Sequence, residues 1–163
     1  MTKIGVISDT HGILDDKIIN FLSICDEIWH AGDIGSLRVL DQLEKMKPLK
    51  AVYGNIDDHK IRTILPEINE FRCENKNILI THIGLIHGTY DKKILDNLLK
   101  KKTDIFICGH SHILKIKYLK EYDCLHINPG ACGKSGLHKF RTAVRFNINN
   151  DKVDEMEILE IPR

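Results

Sequence analysis

The chain has 163 residues, the length of a single domain, since compact domains run to about 100–200 residues. Its 42% hydrophobic and 29% charged residues exclude a disordered chain and fit a soluble globular protein with a real core. The 24 Lys and Arg against 23 Asp and Glu leave a net charge of +1, so no overall field draws it to nucleic acid or an acidic membrane.

The first strand-type run covers residues 3–8, and its apolar part stops at Ser8 and Asp9. Neither it nor any later run reaches the roughly 7–15 apolar residues of a secretory signal or the about 20 of a membrane helix. A cytoplasmic protein is therefore expected. Ile18, Leu22 and Cys25 stand at helical spacing and share one buried face. A second run covers 27–30, where Trp29 reads as core. Ser36 is then the expected N-cap of a helix that buries Leu37, Leu40 and Leu43. Further runs at 49–53, 77–81 and 104–108 each end abruptly in a Gly, Asp, Asn or His cluster. Between the last two, a third helix starts near Asp91 with Ile94, Leu98 and Leu99 inward. It ends at Lys100, Lys101 and Lys102, where cations complement the helix dipole. Strands alternating with helices predict an α/β core with some parallel pairing.

The last third is β-rich: runs at 112–119, 124–127, 141–149 and 152–161, with a turn at Asn149-Asn150-Asp151, read as an antiparallel meander. Two β-layers packed face to face and flanked by helices are expected, in one domain spanning 1–163. Cys25, Cys73, Cys108, Cys124 and Cys132 form no CxxC, so a disulfide framework or zinc finger is not expected and a reducing compartment fits.

Five loops at strand ends offer oxygen or imidazole: Asp9-Thr10-His11-Gly12, Gly32-Asp33, Gly54-Asn55, Thr81-His82 and Gly109-His110-Ser111-His112. Singly, a Gly-Asp or Gly-Asn is a turn. Together, at the carboxyl ends of strands in an α/β sheet, the loops are placed to converge. Asp9, His11, Asp33, Asn55, His82, His110 and His112 are then too many for one tetrahedral zinc, which takes four ligands. They suit two metals sharing a bridge, and Asp33 is the best bridge because Gly32 lets its backbone come close. Nitrogen and oxygen donors without thiolate favour manganese, iron or zinc over calcium. Two metals about 3.5–4 Å apart serve phosphate ester hydrolysis.

This ordered set resembles the calcineurin-like metallophosphoesterase superfamily. Ser8-Asp9-Thr10-His11-Gly12, Gly54-Asn55-Ile56-Asp57, Asn128-Pro129-Gly130 and the short chain are similar to its small YfcE-type phosphodiesterase branch, over residues 3–130. The resemblance implies a four-layer α/β/β/α sandwich of two mixed sheets flanked by helices. It assigns one metal to Asp9, His11, Asp33 and His112, and a second to Asp33, Asn55, His82 and His110. Manganese is the first expectation, with iron, zinc or nickel as others. The implied reaction is in-line attack on a small phosphodiester by a metal-bridging hydroxide. A phosphomonoesterase and a non-catalytic scaffold, as in the small retromer subunit of similar fold, are the alternatives. Small relatives are often oligomeric, which makes a homo-oligomer a further expectation.

Larger relatives continue Gly-Asn with a proton-donating histidine, where this chain has Ile56. His59, His87 and His138 are the substitutes to consider, and for each a solvated or structural role is the plainer reading. Ile83 stands where relatives have glycine, and residues 83–90 are expected to close over the site. His126 reads as core, and Lys139 and Arg141 as surface cations or contacts to an anion.

Overall fold

The computed structural model describes residues 1–86, 89–100 and 102–163. Strands β1 (Thr2–Ile7), β2 (Glu27–His30) and β3 (Leu49–Ala51) run parallel, separated by helices α1 (Asp16–Ser23) and α2 (Leu37–Met46). Asp15 caps α1 by accepting from the Ile18 N–H, and Ser36 caps α2 by accepting from that of Val39. There follow α3 (His59–Ile64), β4 (Ile68–Cys73), β5 (Lys76–Thr81), β6 (Leu85–Ile86), β7 (Thr89–Tyr90) and α4 (Lys92–Lys100). The chain ends with β8 (Ile105–Ile107), β9 (Leu114–Leu119), β10 (Cys124–Pro129), β11 (Phe140–Asn149) and β12 (Lys152–Pro162).

Two five-stranded sheets result, β12-β11-β1-β2-β3 and β4-β5-β8-β10-β9, with β6 and β7 as a separate hairpin. Both are mixed: β1–β2–β3 and β5–β8–β10 pair parallel, while β11, β12, β4 and β9 add antiparallel. Alternation along β1 decides the layering. Ile4 and Val6 join Trp29, Ile80, Ile107, Ile127 and Phe146 in the core between the sheets. Ile7 points the other way, into a cluster with Ile18, Leu22, Leu40 and Leu43 of α1 and α2. On the far side, Leu79 and Phe106 pack against Ile94 and Leu98 of α4. This is the expected four-layer sandwich. Among the described residues, no helix is long and apolar enough to cross a membrane.

Three expectations are corrected. Leu99 is 67% exposed, and α4 buries Ile94 and Leu98 instead. The antiparallel meander is divided: β9 pairs with β10 in one sheet, and β11 with β12 in the other. Arg141 is neither a surface cation nor placed to meet an anionic substrate, since it lies buried in an ion pair with Asp15 at 2.6 Å.

Candidate metal centre

Asp9 and His11 follow β1, Asp33 follows β2, Asn55 follows β3, His82 follows β5, and His110 and His112 follow β8. Backbone bonds tie these loops to one another: Asp9 N–H donates to Gly32 O, His11 N–H to Asp33 O, and Gly109 N–H to His82 O. Asp9, His11, Asp33, His110 and His112 all take φ between 47° and 67°, a left-handed backbone that costs a non-glycine residue about 1 kcal/mol or more. Such strain collects where side chains must be aimed, here at both ends of the Asp-x-His and His-x-His segments.

Two triads place their ligand atoms within 4.8 Å of one another: Asp9, His11 and His112, and Asp9, Asp33 and His82. Asp9 is common to both. Asp33 faces both ways as well, with Oδ1 3.3 Å from His82 Nε2 and Oδ2 3.8 Å from His11 Nε2. Asn55 Oδ1 lies 3.0 Å from His82 Nε2. His110 stands outside the triads with its ring edge-on to that of His82, centroids 5.2 Å apart, while its backbone N–H donates to Asp9 Oδ2.

The donor chemistry fits a cation. His82 Nδ1 lies 2.8 Å from the carbonyl oxygen of Ala31, which can only accept, so Nδ1 carries the proton. Its Nε2 lone pair then points at the oxygens of Asp33 and Asn55, an arrangement that needs a positive charge between them. Asp9 Oδ1 is buried without a hydrogen bond, although the Nε2 atoms of His112 and His11 lie 3.2 and 3.9 Å away. Without metal, a proton can take the cation's place. The Asp9 carboxylate, which a protonated His112 would face at 3.2 Å, is the main cause that raises the His112 pKa. For His82, burial pulls down, and the Asp33 hydrogen bond with the charges of Asp9 and Asp33 outweighs it, so its pKa is raised too. Burial likewise works against ionised Asp33, but His82, the Ile56 N–H and His11 bring its pKa below the ordinary value.

The surroundings hold the site. A methyl group on Gly54 would run into the Asp33 carboxylate, and one on Gly109 into Ser8 and Asp9. The glycines are required because backbone passes close to the acidic side chains. Buried Asp57, which the sequence left without a role, accepts N–H bonds from Ile34, Gly35 and Gly54 at 3.1, 2.7 and 2.8 Å. Only its place two residues after Asn55 could have marked it. His30 is buried and neutral: it accepts from the Gly32 N–H at Nδ1, so Nε2 donates to Thr10 Oγ1 at 3.0 Å.

Of the substitute proton donors, His59 is exposed at the start of α3 and His87 lies outside the described residues. His138 does sit beside the site, its ring edge-on to His112 at 5.2 Å. Its Nε2–H is spent on Gly133 O at 3.0 Å, which leaves Nδ1 as a buried, unpartnered acceptor. Burial pushes the His138 pKa down, so protonating that nitrogen is opposed. Ile83 lines a cavity with Asn55 and His82, while Tyr90 of the hairpin is tied to buried His126 at 3.1 Å.

Residues 2–151 match the model of the calcineurin-like phosphoesterase superfamily domain. A protein of Methanothermobacter thermautotrophicus, named a probable metallophosphoesterase, is 34% identical over 142 residues, which are 78% of this chain and 76% of that one. Among solved structures, wild-type Vps29 from Entamoeba histolytica complexed with Zn²⁺ aligns with a TM-score of 0.76 at 18% identity, covering 98% of each chain. Yfce, a phosphoesterase from E. coli, aligns with a TM-score of 0.66 at 17% identity, covering 95% of this chain and 98% of that one. At these identities the two structures share the fold.

Proposed function

The chain belongs to the calcineurin-like phosphoesterase superfamily, and from that premise we propose that it hydrolyses phosphate diesters with two divalent cations, manganese first among them. The observation that carries this reading is the pair of triads, with Asp9 Oδ1 buried and unpartnered between them. Asp9, His11, Asp33 and His112 would hold one cation, and Asp33, Asn55, His82 and His110 the other, with Asp33 between them. When bound, such cations make water nucleophilic at neutral pH and screen the charge that builds on phosphorus.

The chain's own groups act around that centre. Ala31 O holds His82 in the tautomer that offers Nε2, and the Ile56 N–H holds Asp33 Oδ1 at 3.0 Å. Beside the centre, Ile56 has no proton to give, and His138 presents a lone pair. With no acid so placed among the described residues, the leaving oxygen departs largely unprotonated, which favours diesters with good leaving groups.

The test is hydrolysis of an aryl phosphodiester beside its monoester, by chelator-stripped protein with and without Mn²⁺. Diester turnover that needs the metal and falls about a hundredfold in Asp33→Asn is expected. Faster turnover of the monoester overturns the diester preference, and an Asp33→Asn protein that keeps metal and rate overturns the centre.

A further inference from the structure

Two cavities border the candidate centre, and their walls differ in chemistry. One, of about 220 Å³, is lined by Tyr53, Asn55, Arg62, Glu67, His82 and Ile83 among others. The other, of about 370 Å³, is lined by His110, Ser111, His112, Ile113, Leu137 and His138. The edge-on contact of the His82 and His110 rings joins the two cavities at one centre.

The first cavity carries an aromatic ring and charged groups in its wall. The Arg62 guanidinium lies 4.9 Å over the Tyr53 ring. Its Nε and Nη2 donate to the carbonyls of Asp57, Gly54 and Asn55, which leaves Nη1 without a protein acceptor among the described residues. Glu67 adds a carboxylate to the same wall. Among the described residues that line the second cavity, the histidines are the only ionisable ones. Ile113 is 67% exposed and Leu137 wholly so. Single exposed aliphatics are ordinary, but these two face one cavity with candidate ligands His110 and His112 in its lining. A phosphodiester held at the centre has two ester arms, and the two cavities border that centre.

Resting on the diesterase reading above, we propose that the substrate is an unsymmetrical phosphodiester, with an apolar, alkyl-type arm against Ile113 and Leu137 and a polar arm in the Tyr53–Arg62 cavity. The reaction balances with water alone. A water oxygen bonds to phosphorus, one P–O bond breaks, and the water's protons end on the released alcohol and the solvent. The products are a phosphomonoester and an alcohol.

The test is a series of alkyl p-nitrophenyl phosphates from methyl to hexyl, given to the Mn²⁺-loaded protein. Half-burying each added methylene raises kcat/KM about twofold, so hexyl should exceed methyl by about thirtyfold. In an Ile113→Ser/Leu137→Ser double variant that ratio should shrink to about threefold or less. Because both side chains are exposed, the variant should melt as the parent does. A second readout needs no turnover: in metal-free protein, hexyl phosphate should shift the methyl NMR signals of Ile113 and Leu137, and methyl phosphate should not. A flat series, or a rise that the double variant leaves intact, overturns the assignment while the diesterase reading stands. If no ester turns over with metal bound, the diesterase reading fails, and unmoved Ile113 and Leu137 signals then overturn the arm assignment separately.

Discussion

Asp57 gives its two carboxylate oxygens to three backbone N–H groups, those of Ile34, Gly35 and Gly54, and so joins the Asp33 loop to the Asn55 loop. Removing it strands buried donors, each bond to a charged acceptor contributing about 1.5–3 kcal/mol at most. Asp57→Ala should lower unfolding stability by about 3 kcal/mol in urea titration, and weaken Mn²⁺ binding with it. Gly54→Ala works on the same loop by crowding. Its new methyl displaces the Asp33 carboxylate, and Mn²⁺ affinity measured by calorimetry should fall about a hundredfold. Unchanged affinity would show that Asp33 can be moved without cost.

At the scale of elements, α4 shows how far periodicity carries. Leu98 and Leu99 are equally apolar, but Leu98 stands four residues after Ile94 on the same face while Leu99, one further, turns away from it, and only Leu98 is buried. Leu98→Ala should cost about 2–5 kcal/mol in thermal unfolding, whereas Leu99→Ala should stay within about 0.5 kcal/mol of the parent. The parallel strands were legible because both their faces are buried and they read as apolar runs such as Ile105–Ile107. Edge strand β4, Ile-Asn-Glu-Phe-Arg-Cys, escaped because it meets the core through Cys73 and Phe71 while charged residues interrupt it. Helix α3 is six residues long, too short for a period to register. The candidate site was legible in a different way, since each of its residues follows a strand directly. Asp57 and Arg62 were not, because both act through backbone groups that sequence leaves unmarked.

For the whole molecule, buried and paired histidines set the response to pH, His138 on the same side as His30 and His126. Without metal, His82 and His112 carry pKa values raised above 6.5, so their pairs with Asp33 and Asp9 contribute stability that is full below that pH. It is lost as pH rises through the raised values. His30 and His126 oppose them: burial pushes both down to about 4, with Lys115 and Lys117 adding to the effect at His126. Below pH 6.5 the unfolded chain takes up protons that these two refuse when folded, and stability falls. Metal-free protein should therefore be most stable near pH 6.5, with its melting temperature dropping both toward pH 4 and as the pH rises through the raised values of His82 and His112. Mn²⁺ should abolish the loss on the alkaline side, because the cation replaces the proton that is lost there. Melting curves with chelator and with Mn²⁺ check both statements, and a chelated protein that stabilises steadily up to alkaline pH contradicts the first.

The strand order also bears on synthesis. β1 pairs with β2 on one edge and with β11 on the other, and β11 is separated from it by the entire second sheet. A ribosome thus releases β1 to β3, then all of β4 to β10, before the partner of β1 leaves the exit tunnel. A nascent chain paused at Gly130 already carries every candidate ligand from Asp9 to His112, while the scaffold beneath Asp9 still has an open edge. In this order of translation the second sheet can assemble first, and the arrival of β11 and β12 closes the edge beside β1.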